Sequence, residues 1–135
     1  MDNRPPALPA ELVQEFVGVA HGNLDRVTEL LAQEPALINA AWDWGAGDFE
    51  TGLGAAAHMG RRDIALYLLA HGARFDLFAA AMLGQLDIVR TVLAGQPELR
   101  NTRGAHGIPL LVHAQMGGEP AQAVVDFLQS EAQAA

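Results

Sequence analysis

Four glycines, Gly22, Gly60, Gly84 and Gly117, sit in surroundings alike enough that the chain reads as one unit used four times. The first three are each followed at the third position by an acid, Asp25, Asp63 and Asp87. At the ninth position each is followed by a leucine, Leu31, Leu69 and Leu93, with Leu30 and Leu68 doubling it one place earlier. Small-residue runs precede the anchors: Ala55 to Ala57, Ala79 to Ala81 and, more weakly, Gly18 to Ala20. The anchors are 38, 24 and 33 residues apart, a mean of about 32 that falls among the periods of helical repeat proteins. A unit this short buries its apolar face only against the next unit, so the pattern constrains the chain to a stack.

Each unit reads as two short helices around a glycine. In the first, Leu12, Val13, Phe16, Val17 and Val19 follow a three-to-four-residue period. Gly22 stands where that helix ends, at a position suited to a left-handed residue. Leu24, Val27, Leu30 and Leu31 then share one face of a second helix. Asp25, Asp63 and Asp87 fall in its first turn, where the helix dipole favours an acid. In the fourth unit Pro120 takes the early position, where its missing N–H costs nothing. Pro35 and Pro97 mark helix exits. No segment alternates with the period of a long strand. The expected fold class is all-α, with Leu31, Leu68, Leu69 and Leu93 in one continuous core.

Composition agrees and excludes several functions. Half the residues are apolar and 25 are alanine, whose small side chains let helices approach closely. With no cysteine, thiolate metal sites, disulfides and cysteine nucleophiles are excluded. Sixteen acids face eight arginines and no lysine, a net charge of -8, which argues against nucleic acid or anionic membrane as the partner. The chain offers no apolar run of membrane-spanning length and no secretory N-terminus, so a soluble cytoplasmic protein is expected.

The stretch TGLGAAAHMGRRDIALYLLAHGA, Thr51 to Ala73, resembles an ankyrin repeat, with Gly52 and Gly54 in place of the family's Pro and His. Ile108-Pro109-Leu110-Leu111 recovers the family's Pro-Leu in the fourth unit. The resemblance covers residues 10 to 128 and implies an ankyrin-like helical solenoid of about four helix-turn-helix repeats with irregular inter-repeat loops. The organisation expected is an extended arm at 1–10, a single repeat domain at 11–128 and a frayed tail at 129–135. The repeats would run over 11–40, 51–74, 75–100 and 107–128.

Against the family's 33-residue period, the first junction carries five extra residues and the second lacks nine. The resemblance therefore implies two projecting loops, at 38–51 and 99–109, facing each other across a notch, with a direct crossing between Ala73 and Leu77. Trp42 and Trp44, the two tryptophans of the chain, lie in the first loop beside Asp43, Asp48 and Glu50. They read either as lids over the shortened repeat or as exposed anchors for a partner. The acids read as solvated: their spacing does not match a calcium loop, and no metal or other cofactor is expected.

The resemblance also implies a concave face formed by the two residues before each anchoring glycine: Ala20 and His21, His58 and Met59, Met82 and Leu83, Gln115 and Met116. The methionines and Leu83 would form an adaptable apolar strip there, or would pack helix on helix. His58 and Gln115 are expected to be exposed. No two of the five histidines have metalloprotease spacing. His106 is a candidate to pair with Asp43 across the notch. Arg61 and Arg62 read as solvated charges in local salt bridges.

The expected function is accordingly a non-enzymatic module, monomeric or weakly dimeric, that binds a protein or peptide with basic or amide-rich groups. Its contacts would come from Trp42, Asp43, Trp44, Asp48, Glu50 and His106 with the concave-face residues. Two alternatives stand beside it. One is a small-ligand binder or enzyme using the notch, lined by Trp42, Trp44, Asp43, Asp48 and His106. The other is self-association through the apolar strip.

Overall fold

The computed structural model describes residues 3–134, with side chains through Ser130. Met1, Asp2 and Ala135, and the side chains of 131–134, lie outside the described residues, and with them parts of the expected arm and frayed tail. The described residues form eight α-helices in four consecutive pairs. These are α1 (Ala10–Val19) with α2 (Leu24–Gln33), α3 (Gly52–His58) with α4 (Arg62–Ala70), α5 (Leu77–Leu83) with α6 (Leu86–Gly95), and α7 (Leu110–Met116) with α8 (Gln122–Ala134). The first helices of successive pairs touch in series, α1 on α3, α3 on α5, α5 on α7. Among the second helices, α2 meets α4 and α6 meets α8. No helix among the described residues is long and apolar enough to cross a membrane.

Local chemistry sets the ends of these helices. The Asn23, Thr51 and Asp76 side chains each accept a backbone N–H at a helix start, from Arg26, Gly54 and Ala79, satisfying donors that the first turn leaves orphaned. After Pro35 and Pro97 the chain turns through short 3-10 segments, Pro35–Asn39 and Pro97–Asn101. The turns between paired helices hold left-handed glycines, Gly60 at φ 67° and Gly84 at φ 79°, as the C′ position favours. Both are also points of close approach: a Cβ on Gly60 would meet the Met116 carbonyl, and one on Gly84 the Pro120 carbonyl. The same expectation fails at Gly22, which is not among the left-handed residues, and in the fourth unit Gly118, not Gly117, has the positive φ.

The core divides where one continuous core was expected. Phe16, Val17, Val27, Leu30, Leu31, Ile64 and Leu68 belong to a first cluster, with Leu69 only half-buried beside it. Leu93 belongs to a second, with Val89, Leu110, Val124 and Leu128. Helix α5 separates the two: Ala79, Met82 and Leu83 face the first and Ala80 and Ala81 the second. That placement overturns the exposed apolar strip at its centre, since Met82 and Leu83 are buried. Their side chains join the first cluster, and the last pair also comes close, with Gly117 so near that a Cβ would strike the Met82 carbonyl. Arg61 and Arg62 do more than pair with solvated acids. Arg61 donates to the Gly22 carbonyl at 2.6 Å, and Arg62 to the Leu83 carbonyl at 3.0 Å, tying three successive turns together.

Two projections leave the helices on one edge. The first is a hairpin of β1 (Ala41–Asp43) and β2 (Phe49–Thr51), antiparallel, with Trp42 opposite Glu50. Strands of three residues are too short for alternation to register in the sequence. The second is the 102–109 segment, closed by an Arg103–Pro109 bridge and a 3-10 turn at Ala105–Gly107. Between α4 and α5 the chain crosses with no strand pairing, as the junction length requires.

His113, on α7, is buried; its Nδ1 donates to the Pro109 carbonyl at 2.9 Å and its ring lies 4.6 Å from that of Phe78. Burial holds its pKa below the unfolded value of 6.5, so the neutral ring is favoured by the fold. Its contribution is complete above pH 6.5 and is lost as the pH falls through the folded pKa. The stability gap between wild type and His113→Gln, read by urea denaturation, is expected to narrow from pH 7.5 to pH 5 (roughly the physiological titration range of histidine). A constant gap would show that His113 is not held neutral.

Candidate functional site

Four ionisable side chains from four separate segments meet where the hairpin and the 102–109 segment close over the ends of α1 and α3. His21 lies in the turn after α1 and returns its ring to that helix, with Nδ1 3.0 Å from the carbonyls of both Val17 and Gly18. His58 is the last residue of α3. Glu50 occupies the inward position of β2: Phe49 beside it is 62% exposed, while Glu50 is 2% exposed. His106 sits at φ 60° in its 3-10 turn, a conformation that is strained for a residue with a Cβ and persists only when its surroundings hold it.

What holds His106 is Asp48. One Asp48 oxygen accepts the His106 backbone N–H at 2.7 Å and the other faces His106 Nδ1 at 2.7 Å. These bonds, the backbone one foremost, keep the Asp48 carboxyl below its ordinary pKa. The two loops therefore do meet across the notch, but the expected pairing of His106 with Asp43 is replaced by Asp48. Asp43 instead organises the hairpin turn, accepting the N–H groups of Gly45 at 2.8 Å and Gly47 at 3.0 Å.

The Glu50 carboxylate is the centre. Its Oε1 accepts the Trp44 indole N–H at 2.8 Å and lies 3.2 Å from His21 Nε2. Its Oε2 lies 2.9 Å from His58 Nε2 and 3.3 Å from His106 Nε2. Burial alone would raise its pKa, but the imidazoles of His21 and His58 and the Trp44 N–H outweigh it, and the carboxyl is held well below the usual range. Conversely, the Glu50 contact raises the His21 pKa against the pull of desolvation. For His21 and His106 the Nδ1 atom faces only oxygen acceptors, so it carries the proton and Nε2 offers a lone pair in the neutral ring. Among the buried polar atoms with no hydrogen bond of good geometry are Glu50 Oε2 and His58 Nε2, which face each other at 2.9 Å as an ion-pair contact.

Three imidazole nitrogens and one carboxylate oxygen, all within 4.8 Å of one another, make a set that could share a cation. Two features add to it. His21 and His58 stand at the C-terminal ends of α1 and α3, where the helix dipole favours positive charge. His21 and His106 keep 26% and 33% of their side-chain surface open to solvent, which gives access. Beside the cluster a cleft of about 370 Å³ opens between the hairpin and the 102–109 segment, lined by Asp48, Thr51, Asp76, Phe78, Arg103 and Gly104.

The other expected site residues separate. Trp42 is half-buried against the first core cluster, while Trp44 is 38% exposed and donates its indole N–H to Glu50. Met59, Gln115 and Met116 are exposed and lie outside the cluster. His58, expected to be open, has a side chain only 11% exposed, because the hairpin and His106 cover it. Glu50, expected to be solvated, is buried. Each histidine was visible in the sequence, but their convergence was not. The signal lay in the repeat itself, since His21 and His58 occupy matching places before Gly22 and Gly60. No protein-family model matches this chain, and no curated protein matches it significantly.

Proposed function

We propose that the protein is a binding module whose site is the cluster of His21, Glu50, His58 and His106, carried at the edge of an ankyrin-like stack of four helix pairs. The observation that carries the reading is the buried Glu50 carboxylate, faced by the Nε2 atoms of His21, His58 and His106 at 3.2, 2.9 and 3.3 Å. A buried carboxylate is costly unless it is paired, and packing α1 on α3 does not require one. Ligands that engage the cluster recover that cost. The stack is supported by the serial contacts of the first helices and by the left-handed glycines Gly60 and Gly84 at equivalent turns.

A thermal-shift panel tests the reading. Its four classes are divalent metal chlorides, small carboxylates, alkylammonium salts and lysine-rich peptides. A ligand at about 100 times its Kd adds about 2.7 kcal/mol, which is roughly 10 °C for a chain of this size. At least one class is expected to raise the melting temperature of wild type and not of Glu50→Gln. A panel flat across all four classes would contradict the reading.

A second reading has its own observation. Phe49, 62% exposed, and Trp44, 38% exposed, stand on the projecting hairpin, and aromatic side chains in such positions are favoured anchors for a protein or peptide partner. In that reading the polar cluster shapes the hairpin and the aromatics make the contact.

A further inference from the structure

Resting on the reading of the cluster as a binding site, we propose that its ligand is a zinc-class divalent ion. The ion would be bound by Nε2 of His21, His58 and His106 and by one carboxylate oxygen of Glu50.

The donor types come first. Imidazole nitrogen with a single carboxylate suits borderline first-row ions such as zinc, whereas calcium and magnesium take oxygen ligands. Distances agree. With bonds of about 2.1 Å, a tetrahedral ion sets its ligand atoms about 3.4 Å apart. The Glu50 oxygens already lie 3.2, 2.9 and 3.3 Å from the nitrogens of His21, His58 and His106. All four ligand atoms fall within 4.8 Å of one another, so closing on one ion needs side-chain adjustments and no movement of helices.

The surrounding bonds are those that orient metal ligands. A ligating histidine characteristically donates its second ring N–H to a carbonyl or carboxylate, which fixes the tautomer and aims the lone pair. His21 does so toward Val17 and Gly18, and His106 toward Asp48. The Glu50 carboxylate is steadied by the Trp44 indole at 2.8 Å. The convergence of three imidazoles on one buried carboxylate then finds an explanation that a single proton does not provide. A proton on His58 Nε2 serves one pair along one line. A cation among the four atoms satisfies Glu50 Oε2 and His58 Nε2 together and engages His21 and His106 as well. The strained φ of His106 belongs to the same arrangement, because it delivers an imidazole from a turn with no buried residue of its own.

Four protein ligands fill a tetrahedral shell, which is the mark of a structural rather than a catalytic zinc site. The ion would thus clip the 102–109 segment to the hairpin and to the ends of α1 and α3, closing the edge of the stack.

The test uses full-length protein stripped with chelator and titrated with zinc, and separately with cobalt as an optical probe. Wild type is expected to bind one equivalent, to melt several degrees higher when loaded, and to develop the visible bands of four-coordinate cobalt. Glu50→Gln and His106→Gln are each expected to weaken zinc binding at least 100-fold. His71→Gln, a surface histidine stacked on Tyr67, is expected to bind as wild type does. His106 lies in an exposed turn, so its variant reports on the site even if Glu50→Gln does not fold. Absence of zinc and cobalt binding by wild type, or binding unchanged in both site variants, would overturn the proposal. If metals fail while alkylammonium salts or lysine-rich peptides stabilise wild type through Glu50, the metal assignment falls and the binding-site reading stands. If nothing binds, both fall.

Discussion

Phe16→Ala is expected to lower folding stability by about 3–5 kcal/mol, a loss of roughly 10–20 °C in melting temperature for a chain of this size. Phe16 is fully buried in the first core cluster. It also packs on the start of α3: a Cβ placed on Gly52 would lie 2.8 Å from its ring. Its loss removes apolar burial and leaves a cavity at the contact between the first two helix pairs, directly beneath the β2–α3 connection that presents Glu50. The geometry also fixes how two substitutions combine. Gly52→Ala alone forces the ring aside and destabilises, but in the Phe16→Ala background the added methyl fills part of the cavity. The double variant is expected to be more stable than the sum of the singles predicts, by more than the 0.5 kcal/mol or so within which independent sites add. Strict additivity in chemical denaturation would show that the two residues are not in contact.

Gly84→Ala is expected to cost about 3 kcal/mol, from two sources. A left-handed φ of 79° is unfavourable for alanine by about 1–2 kcal/mol. The added methyl would also press on the Pro120 carbonyl, and overpacking of this kind typically costs about 1–3 kcal/mol. The backbone there cannot yield as a flexible side chain would. Gly72 provides the comparison: its φ is 97°, yet nothing lies within reach of an added Cβ, so Gly72→Ala should show the strain without the clash. Equal losses at the two positions, measured by thermal and urea denaturation, would remove the close approach between α5 and the start of α8 from the account.

The helices were legible because their signals are local. Leucine spacing, an acid in the first turn and a glycine after the helix are each set by neighbours three or four residues away, and Val27, Leu30, Ile64, Leu68 and Val89 are buried as that pattern requires. Junction lengths were equally informative: five extra residues became the hairpin and nine missing residues became the direct crossing before Leu77. Burial at α5 was not legible. Met82 and Leu83 occupy places that the repeat pattern leaves outward, yet their side chains join the first core cluster while Gly117 closes on the Met82 carbonyl. That fit depends on three elements at once.

The candidate site was partly legible for the same reason. Asp48 and His106 were read as neighbours across a notch only to the extent that their loops were, and the partner chosen for His106 was the wrong aspartate by five residues. Glu50 was misjudged because a carboxylate in a glycine-containing loop is ordinarily solvated, and only the inward face of β2 puts it below Trp44. The ligand atoms come from positions 21, 50, 58 and 106, too far apart for any short motif. Their convergence follows from how pairs stack and from where the two projections fold, neither of which has a spacing rule.

Crystals of the protein grown with zinc, with diffraction recorded on both sides of the zinc absorption edge, test the central claim most directly. The account predicts one anomalous peak within about 2.0–2.2 Å of Nε2 of His21, His58 and His106 and of a Glu50 carboxylate oxygen, with Asp48 still on His106 Nδ1. Density in which the four side chains bond to one another with no peak among them, or a peak confined to other surface groups, would contradict it.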